Sequence, residues 1–137
     1  MLKNEEFLKD FIEESTEHIQ RIEEGLLGIE AGDTDGDTLN EVFRAVHSIK
    51  GTAGFFGLKN ISELSHSMEN LLSRMRDGRI KADANVVDAL LAGNDTLRSM
   101  VNNVQGSRQV DISSIKGQIE RILKEDKGLM TRESQAQ

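Results

Sequence analysis

The chain has 137 residues, of which 36% are hydrophobic and 30% are charged, and its formal net charge of −7 suits one soluble domain with a real core. The absence of cysteine excludes disulfides, thiolate zinc sites and cysteine nucleophiles, and the absence of a dense lysine and arginine block argues against a nucleic-acid partner. No apolar run is long enough for a transmembrane helix, and the acidic start MLKNEEFLKD is not typical of a signal peptide, so we expect no membrane partner and a cytoplasmic location.

Five helices are predicted from the spacing of apolar residues and from their capping residues. Proline is absent from the chain, which favours an all-α fold. The first helix is predicted from about residue 4 to residue 29, before a loop rich in glycine and aspartate over residues 31–38. The second begins at Thr38, which has capping-box spacing to Glu41, and ends near Gly57.

The later helices follow from the same signals. The third is predicted to begin at Asn60, in capping-box spacing to Glu63, and to end at Gly78. The fourth is predicted over about residues 83–105 and the fifth over about residues 111–127.

Four long amphipathic helices with short connections predict an antiparallel four-helix bundle, which the additional C-terminal fifth helix caps or extends. We expect one domain over residues 1–128, followed by a tail or the start of a linker over residues 129–137. A bundle alone implies no function, so the function must be sought in particular side chains.

The second predicted helix carries a histidine followed by two glycines, in the stretch FRAVHSIKGTAGFFGL. At about 100° per residue, His47 lies roughly 110° from the apolar direction of its helix, on the flank rather than in the core. Gly51 and Gly54 share that flank, although glycine in a helix interior is about 1 kcal/mol less favourable than alanine. We interpret the two glycines as access glycines, which leave the imidazole open to a large partner.

A second polar cluster lies on the third predicted helix, in LSHSMEN. His66 and Glu69 are three residues apart and are therefore neighbours on one face. Glu69 lies at about the same angle from its apolar direction as His47 does, so the two side chains turn either toward the same groove or both away. The spacing leaves both arrangements open. Lys50 stands one turn after His47 and can place its ammonium beside a negative group on the ring.

An exposed histidine with a carboxylate and a lysine nearby suits phosphoryl transfer. Neutral imidazole is a nucleophile near physiological pH. A carboxylate that accepts the Nδ1–H would hold the tautomer whose Nε2 lone pair faces solvent, and Nε2 could then take a phosphoryl group. Lys50 would counter the added charge of about −2.

Two other polar residues have a structural interpretation. His18 lies at the edge of the apolar stripe of the first helix, without a partner cluster. Asn94 falls within the apolar stripe of the fourth helix, and we expect it to be buried with its hydrogen bonds satisfied.

The stretch FRAVHSIKGTAGFFGL, followed by HSMENLL, resembles the histidine-phosphotransfer (HPt) domain at the N-terminus of chemotaxis histidine kinases of the CheA family. The similarity covers roughly residues 7–105. The H-x-x-K-G pattern that begins at His47 is shared by HPt domains broadly, whereas the H-x-x-E-N pattern that begins at His66 points more narrowly to CheA.

The resemblance implies that His47 accepts the phosphoryl group and that Lys50, His66 and Glu69 form a supporting polar network. It implies two partners: a separate CheA kinase domain that binds ATP and Mg²⁺, and a receiver protein such as CheY or CheB, whose aspartate takes the phosphoryl group. The chain itself is then a carrier that holds no cofactor or metal and is not catalytic alone. We expect it to be either a fragment of a larger kinase or a stand-alone HPt protein that relays between two receiver domains.

Two alternatives come from other classes of protein. A metal-binding bundle could use His47, His66 and Glu69, but di-iron bundles need paired E-x-x-H motifs with inward glutamates, and this chain offers H-x-x-E once, on a flank. A purely structural interaction bundle leaves the glycine-flanked histidine unexplained. The phosphoryl carrier is therefore the leading interpretation.

Overall fold

The computed structural model describes residues 2–33 and 35–136, with side chains described for residues 5–33 and 35–126. Within these ranges the chain contains helices and no strand, which confirms the predicted all-α class. The helices are α1 (Leu2–Glu30), α2 (Gly36–Phe55), α3 (Lys59–Arg76), α4 (Ala84–Asn102) and α5 (Ser113–Ala136), with a short 3₁₀ helix (Ser107–Gln109) before α5.

The first four helices form a closed bundle in which each helix packs against two neighbours. Helix α2 contacts α1 and α3, α4 closes the ring against α1 and α3, and α5 packs across α3 and α4. The α2–α3 pair is antiparallel, because His47 meets Glu69 whereas the earlier residue Phe43 meets the later residue Arg76. The predicted antiparallel bundle with a fifth helix is confirmed.

The core is apolar and receives one face from every helix of the bundle. Burying such a side chain is worth about 1.5–3 kcal/mol relative to leaving it exposed, so the core decides which flanks of α2 and α3 stay outside. The largest fully buried side chains are Phe11, Ile22, Leu26, Ile49, Ile61, Leu64, Met68, Leu71, Leu72, Leu90, Leu97 and Met100. Among the helices described, none combines the length and the hydropathy needed to cross a membrane.

The predicted start of the second helix is wrong. The N-cap of α2 is Asp35, whose carboxylate accepts a hydrogen bond from the backbone N–H of Asp37. Thr38 lies inside the helix, and its hydroxyl donates to Asp33 at 2.8 Å. Aspartate caps a helix at least as well as threonine does. The acidic loop places an aspartate, Asp35, three residues before Thr38.

The predicted cap of the third helix is also wrong. Helix α3 has no side-chain cap at Leu58, and the amide of Asn60 instead donates to the carbonyl oxygens of Ser107 and Val110, at 2.8 and 3.0 Å. Asn60 therefore ties α3 to the turn that precedes α5. Gly78 follows α3 as predicted, with a φ of 77° that favours glycine.

Helix α5 is longer than predicted, since it ends at Ala136 rather than near residue 127. It is anchored by Asp126, which is 8% exposed and accepts hydrogen bonds from Arg74 and Arg79. The expectation of a tail or linker over residues 129–137 falls on residues outside those whose side chains are described, and it stays a prediction.

Three buried polar atoms lack a hydrogen-bond partner among the described residues: Oδ1 of Asn94, Nδ1 of His18 and Oγ of Ser65. Asn94 is 1% exposed and donates to the Ile19 carbonyl at 3.0 Å, but its Oδ1 has no partner among the described atoms, so the expected full satisfaction is wrong. His18 is half-buried between α1 and α2, and its Nδ1 likewise has no partner. Burial lowers the pKa of the His18 ring, which favours the neutral form.

Two helix glycines offer a matched test of the packing. A Cβ at Gly25 of α1 would clash with Cγ2 of the buried Val42 of α2, whereas a Cβ at Gly117 of α5 meets nothing within 4 Å. We predict that Gly25→Ala destabilises the fold by about 1–3 kcal/mol, because the β-branched Val42 cannot move aside. Gly117→Ala should stabilise it by about 0.5–1 kcal/mol. Chemical denaturation checks both variants, and equal effects would contradict the close approach of α1 and α2.

Candidate functional site

His47 lies on an exposed flank of α2 that borders α3. Its side chain is 62% exposed, and its Nδ1 lies 2.5 Å from Oε2 of Glu69. The two side chains therefore turn toward each other, which decides between the arrangements that the helical spacing left open.

The carboxylate of Glu69 joins the site together. Its side chain is 13% exposed, and while Oε2 meets His47, Oε1 accepts a hydrogen bond from Nζ of Lys50 at 2.8 Å. Burial alone would raise the pKa of the Glu69 carboxyl, but the hydrogen bonds from Lys50 and His47 outweigh burial and leave the pKa below its ordinary value. Glu69 is therefore a carboxylate at neutral pH, with each oxygen engaged.

The contact with Glu69 assigns the tautomer of a neutral His47. A carboxylate only accepts hydrogen bonds, so Nδ1 carries the hydrogen in this pair. The lone pair of the neutral ring is then on Nε2, which has no hydrogen-bond partner in the described part of the chain. The ring offers this nitrogen to an incoming electrophile.

The two access glycines differ in their surroundings. A Cβ at Gly51 meets nothing within 4 Å, and Gly51 lines an open groove of about 590 Å³ between α1 and α2 together with His47 and Phe55. Gly54 is exposed but lies toward α3, where a Cβ would stand 3.7 Å from Oγ of Ser62. Of the two glycines, Gly51 is the one that keeps the groove beside the imidazole open.

His66 stands apart from the other predicted site residues. It is exposed on α3, and within the described residues it makes no hydrogen bond, ion pair or ring contact. Three helical residues rotate a side chain by about 60° relative to Glu69, enough to turn it away from α2. Its supporting role stays a prediction. The metal-binding alternative gains no support either, because in the described part no three potential ligands converge.

Two side chains without a role assigned from the sequence lie next to the site, Phe43 against the imidazole and Arg76 against Phe43. The ring of Phe43 lies nearly parallel to that of His47, with centroids 6.2 Å apart and 9° between the planes. The guanidinium carbon of Arg76 lies 4.2 Å from the centre of the Phe43 ring. The helical spacing could have indicated both residues from the sequence. Phe43 precedes His47 by four residues and Arg76 follows Glu69 by seven, so each shares a helix face with a site residue.

The chain is similar to known proteins over most of its length. Residues 6–107 match the family described as Hpt domain. The chain is 34% identical over 115 residues to the chemotaxis protein CheA of Listeria monocytogenes, a match that covers 82% of this chain and 19% of that protein. The chain thus spans about a fifth of the length of this relative.

Solved structures share the helical bundle. The CheA phosphotransferase domain from Thermotoga maritima is 35% identical, with a TM-score of 0.68 over 72% of this chain and 94% of that one. The phosphorylated P1 domain of CheA3, solved in complex with CheY6 from R. sphaeroides, has a TM-score of 0.74 over 88% of this chain and 95% of that one. Its identity is 24%, so this second likeness concerns the fold alone.

We predict that Glu69→Gln redistributes the tautomers of His47. A glutamine amide can either donate or accept at Nδ1, so it no longer requires the hydrogen there. At a pH where the ring is neutral, ¹⁵N spectra should show the Nδ1–H tautomer in the wild type and a mixture in Glu69→Gln. Lys50→Ala is the control, because it leaves the acceptor in place and should keep the wild-type tautomer. Unchanged His47 signals in Glu69→Gln would contradict the contact.

Proposed function

Because the chain belongs to the Hpt domain family, we propose that it is a phosphoryl carrier of two-component chemotaxis signalling, with His47 as the phosphorylated residue. The donor is ATP, held with Mg²⁺ by the kinase domain of a CheA protein, and the acceptor is an aspartate on a receiver domain of the CheY or CheB type. One observation carries the proposal: the ring is exposed and its Nε2 has no partner among the described residues, while Nδ1 is held by Glu69.

Both transfers balance while the ring hydrogen stays on Nδ1. In the first, the Nε2 lone pair of His47 attacks the γ-phosphorus of ATP, an N–P bond forms, and the bond to the bridging oxygen breaks as ADP leaves. The ring now carries positive charge, which the carboxylate of Glu69 stabilises. In the second, a carboxylate oxygen of the receiver aspartate attacks phosphorus, the N–P bond breaks, and neutral His47 is regenerated.

Lys50 suits both states of the carrier. Before transfer its ammonium lies 2.8 Å from Glu69 and balances that negative charge. After transfer the phosphoryl group adds a charge of about −2 one helical turn away, and the flexible stem of Lys50 lets the ammonium turn to its oxygens. The charge-balancing role is part of the proposal.

A kinase donor is favoured over a relay between two receiver domains. The chemotaxis protein CheA of Listeria monocytogenes, to which this chain is similar, is a longer protein of which the chain spans 19%, and a stand-alone relay has no comparable support. We place the carrier in the cytoplasm, where ATP is available, and assign it no cofactor and no catalysis of its own.

The first functional prediction concerns the phosphorylated residue. With ATP and the kinase domain of a CheA protein, the chain should gain an acid-labile, alkali-stable phosphate, and with ATP alone it should gain none. His47→Gln should abolish the labelling, because neither of the other two histidines, His18 and His66, has a carboxylate at Nδ1 among the described residues. His18→Gln is the matched control in the same groove and should be labelled normally. Phosphate retained by His47→Gln would overturn the assignment.

The second functional prediction concerns the open groove. Gly51→Leu should leave α2 intact or slightly more stable, because glycine is a poor helix former and nothing lies within 4 Å of the added Cβ. Transfer to and from protein partners should fall by about tenfold or more, since a displaced partner misaligns the reacting atoms.

The control for Gly51→Leu is phosphorylation by the small donor phosphoramidate, which needs no groove and should proceed nearly as in the wild type. Gly54→Leu, on the α3 side, should impair partner transfer less than Gly51→Leu does. Wild-type transfer rates in Gly51→Leu would show that partners do not approach through this groove.

A further inference from the structure

The hydrogen bond to Glu69 alone does not fix the orientation of the His47 ring. It anchors one ring atom, Nδ1, and the χ2 torsion of histidine is broad. On the α1 side Gly51 supplies no side chain to press against the ring. Rotation about the Nδ1 contact would swing Nε2 away from an incoming phosphorus, so the plane of the ring needs a second support.

Phe43 provides that support from the same helix. Four residues place it one turn before His47 on one face of α2. The angle of 9° between the ring planes is that of a stacked pair. The centroid distance of 6.2 Å falls within the range of offset-stacked aromatic pairs, about 4.5–7 Å. Phe43 is half-buried, so its own ring is partly held by the bundle. Turning the imidazole out of its plane breaks this stack.

Arg76 holds the Phe43 ring from α3. Its guanidinium carbon lies 4.2 Å from the ring centre, inside the cation–π range of about 6 Å. Arg76 has no acidic partner among the described residues, whereas Arg74 and Arg79 both bind Asp126. No ion pair in the described part therefore draws the guanidinium of Arg76 away from Phe43.

The register of α2 against α3 brings the two supports together. Glu69 and Arg76 are seven residues apart on one face of α3, and Phe43 and His47 are four apart on one face of α2. Because the helices are antiparallel, Glu69 lies opposite His47 and Arg76 reaches Phe43. Helix α3 thus supports the imidazole through two contacts. Glu69 binds Nδ1 directly, and Arg76 holds the Phe43 ring that stacks on the imidazole.

We propose that Phe43 and Arg76 are positioning residues for His47: they hold the plane of the imidazole so that Nε2 points at the phosphoryl donor. The catalytic consequence rests on the proposed function of His47 as phosphoacceptor, whereas the positional claim does not. The two claims can therefore be measured separately.

The positional claim is tested by NMR of the His47 ring protons. The Phe43 ring current should shift the Cδ2–H and Cε1–H signals of His47, and Phe43→Leu should remove that shift. Arg76→Gln keeps a polar side chain but removes the cation, and it should reduce the shift because Phe43 is then less restrained. Arg76→Lys restores a cation and should recover most of the ring-current shift of the His47 protons. Arg121→Gln, an exposed arginine on α5, is the matched control and should change nothing.

The catalytic claim is tested with phosphoramidate, which needs no partner protein. Nε2 of His47 attacks its phosphorus, the P–N bond of the donor breaks, and ammonia leaves. Arg76→Gln should slow this step by about two- to fivefold, Phe43→Leu should slow it at least as much, and Arg76→Lys should restore most of the rate. Thermal unfolding of each variant shows whether a slower rate reflects lost structure instead, and the ring-proton shifts are independent of stability.

The outcomes separate the two hypotheses. If phosphoramidate does not label His47 in the wild type, the proposed function fails, and the ring-proton shifts still test the support. If the wild type is labelled normally but Arg76→Gln has the wild-type labelling rate and the wild-type His47 ring-proton shifts, the proposed positioning role of Arg76 is wrong. A slower rate in Arg76→Gln with unchanged His47 shifts also overturns it, because Arg76 would then act on the phosphoryl group directly.

Discussion

The chemistry of the site depends on the hydrogen bonds that the carboxylate of Glu69 makes. One of its oxygens meets Nδ1 of His47 and the other accepts from Lys50. Because the side chain is largely shielded from water, these bonds are not readily replaced by solvent. An exposed imidazole would otherwise exchange tautomers freely, and the anchored carboxylate is what makes it present a single nitrogen to a partner.

The surroundings of the imidazole divide into two sides with different tasks. On the α3 side, Glu69 holds the ring and Lys50 neutralises the carboxylate, and in the proposed function Lys50 also balances the phosphoryl charge. On the α1 side, Gly51 leaves the groove open. The proposed carrier function requires access for large partners, which a surface site provides. The packed bundle beneath the site keeps both helices rigid enough to hold the geometry.

Sequence-based prediction was weakest where a side chain has more than one possible partner. Asn60 has the spacing of a helix cap, but its amide binds carbonyl groups 47 and 50 residues away, and the start of α2 was displaced because a nearby aspartate competes with Thr38. Asn94 was correctly expected to be buried, yet one of its polar atoms is unpartnered among the described residues. Which partner such a side chain binds depends on distances in the folded structure, and the spacing of residues along one helix does not give those distances.

The sequence by itself determined the helical class, the number of helices and the flank on which His47 lies, because the 3.6-residue period relates each side chain to the core of its own helix. It also determined which residue types were available beside the histidine. Only the tertiary structure decided that Glu69 turns toward His47, that His66 makes no contact with either of them among the described residues, and that Arg76 reaches Phe43. These contacts depend on the rotation and register of α3 against α2, which the packing of the whole core sets and no single helix encodes.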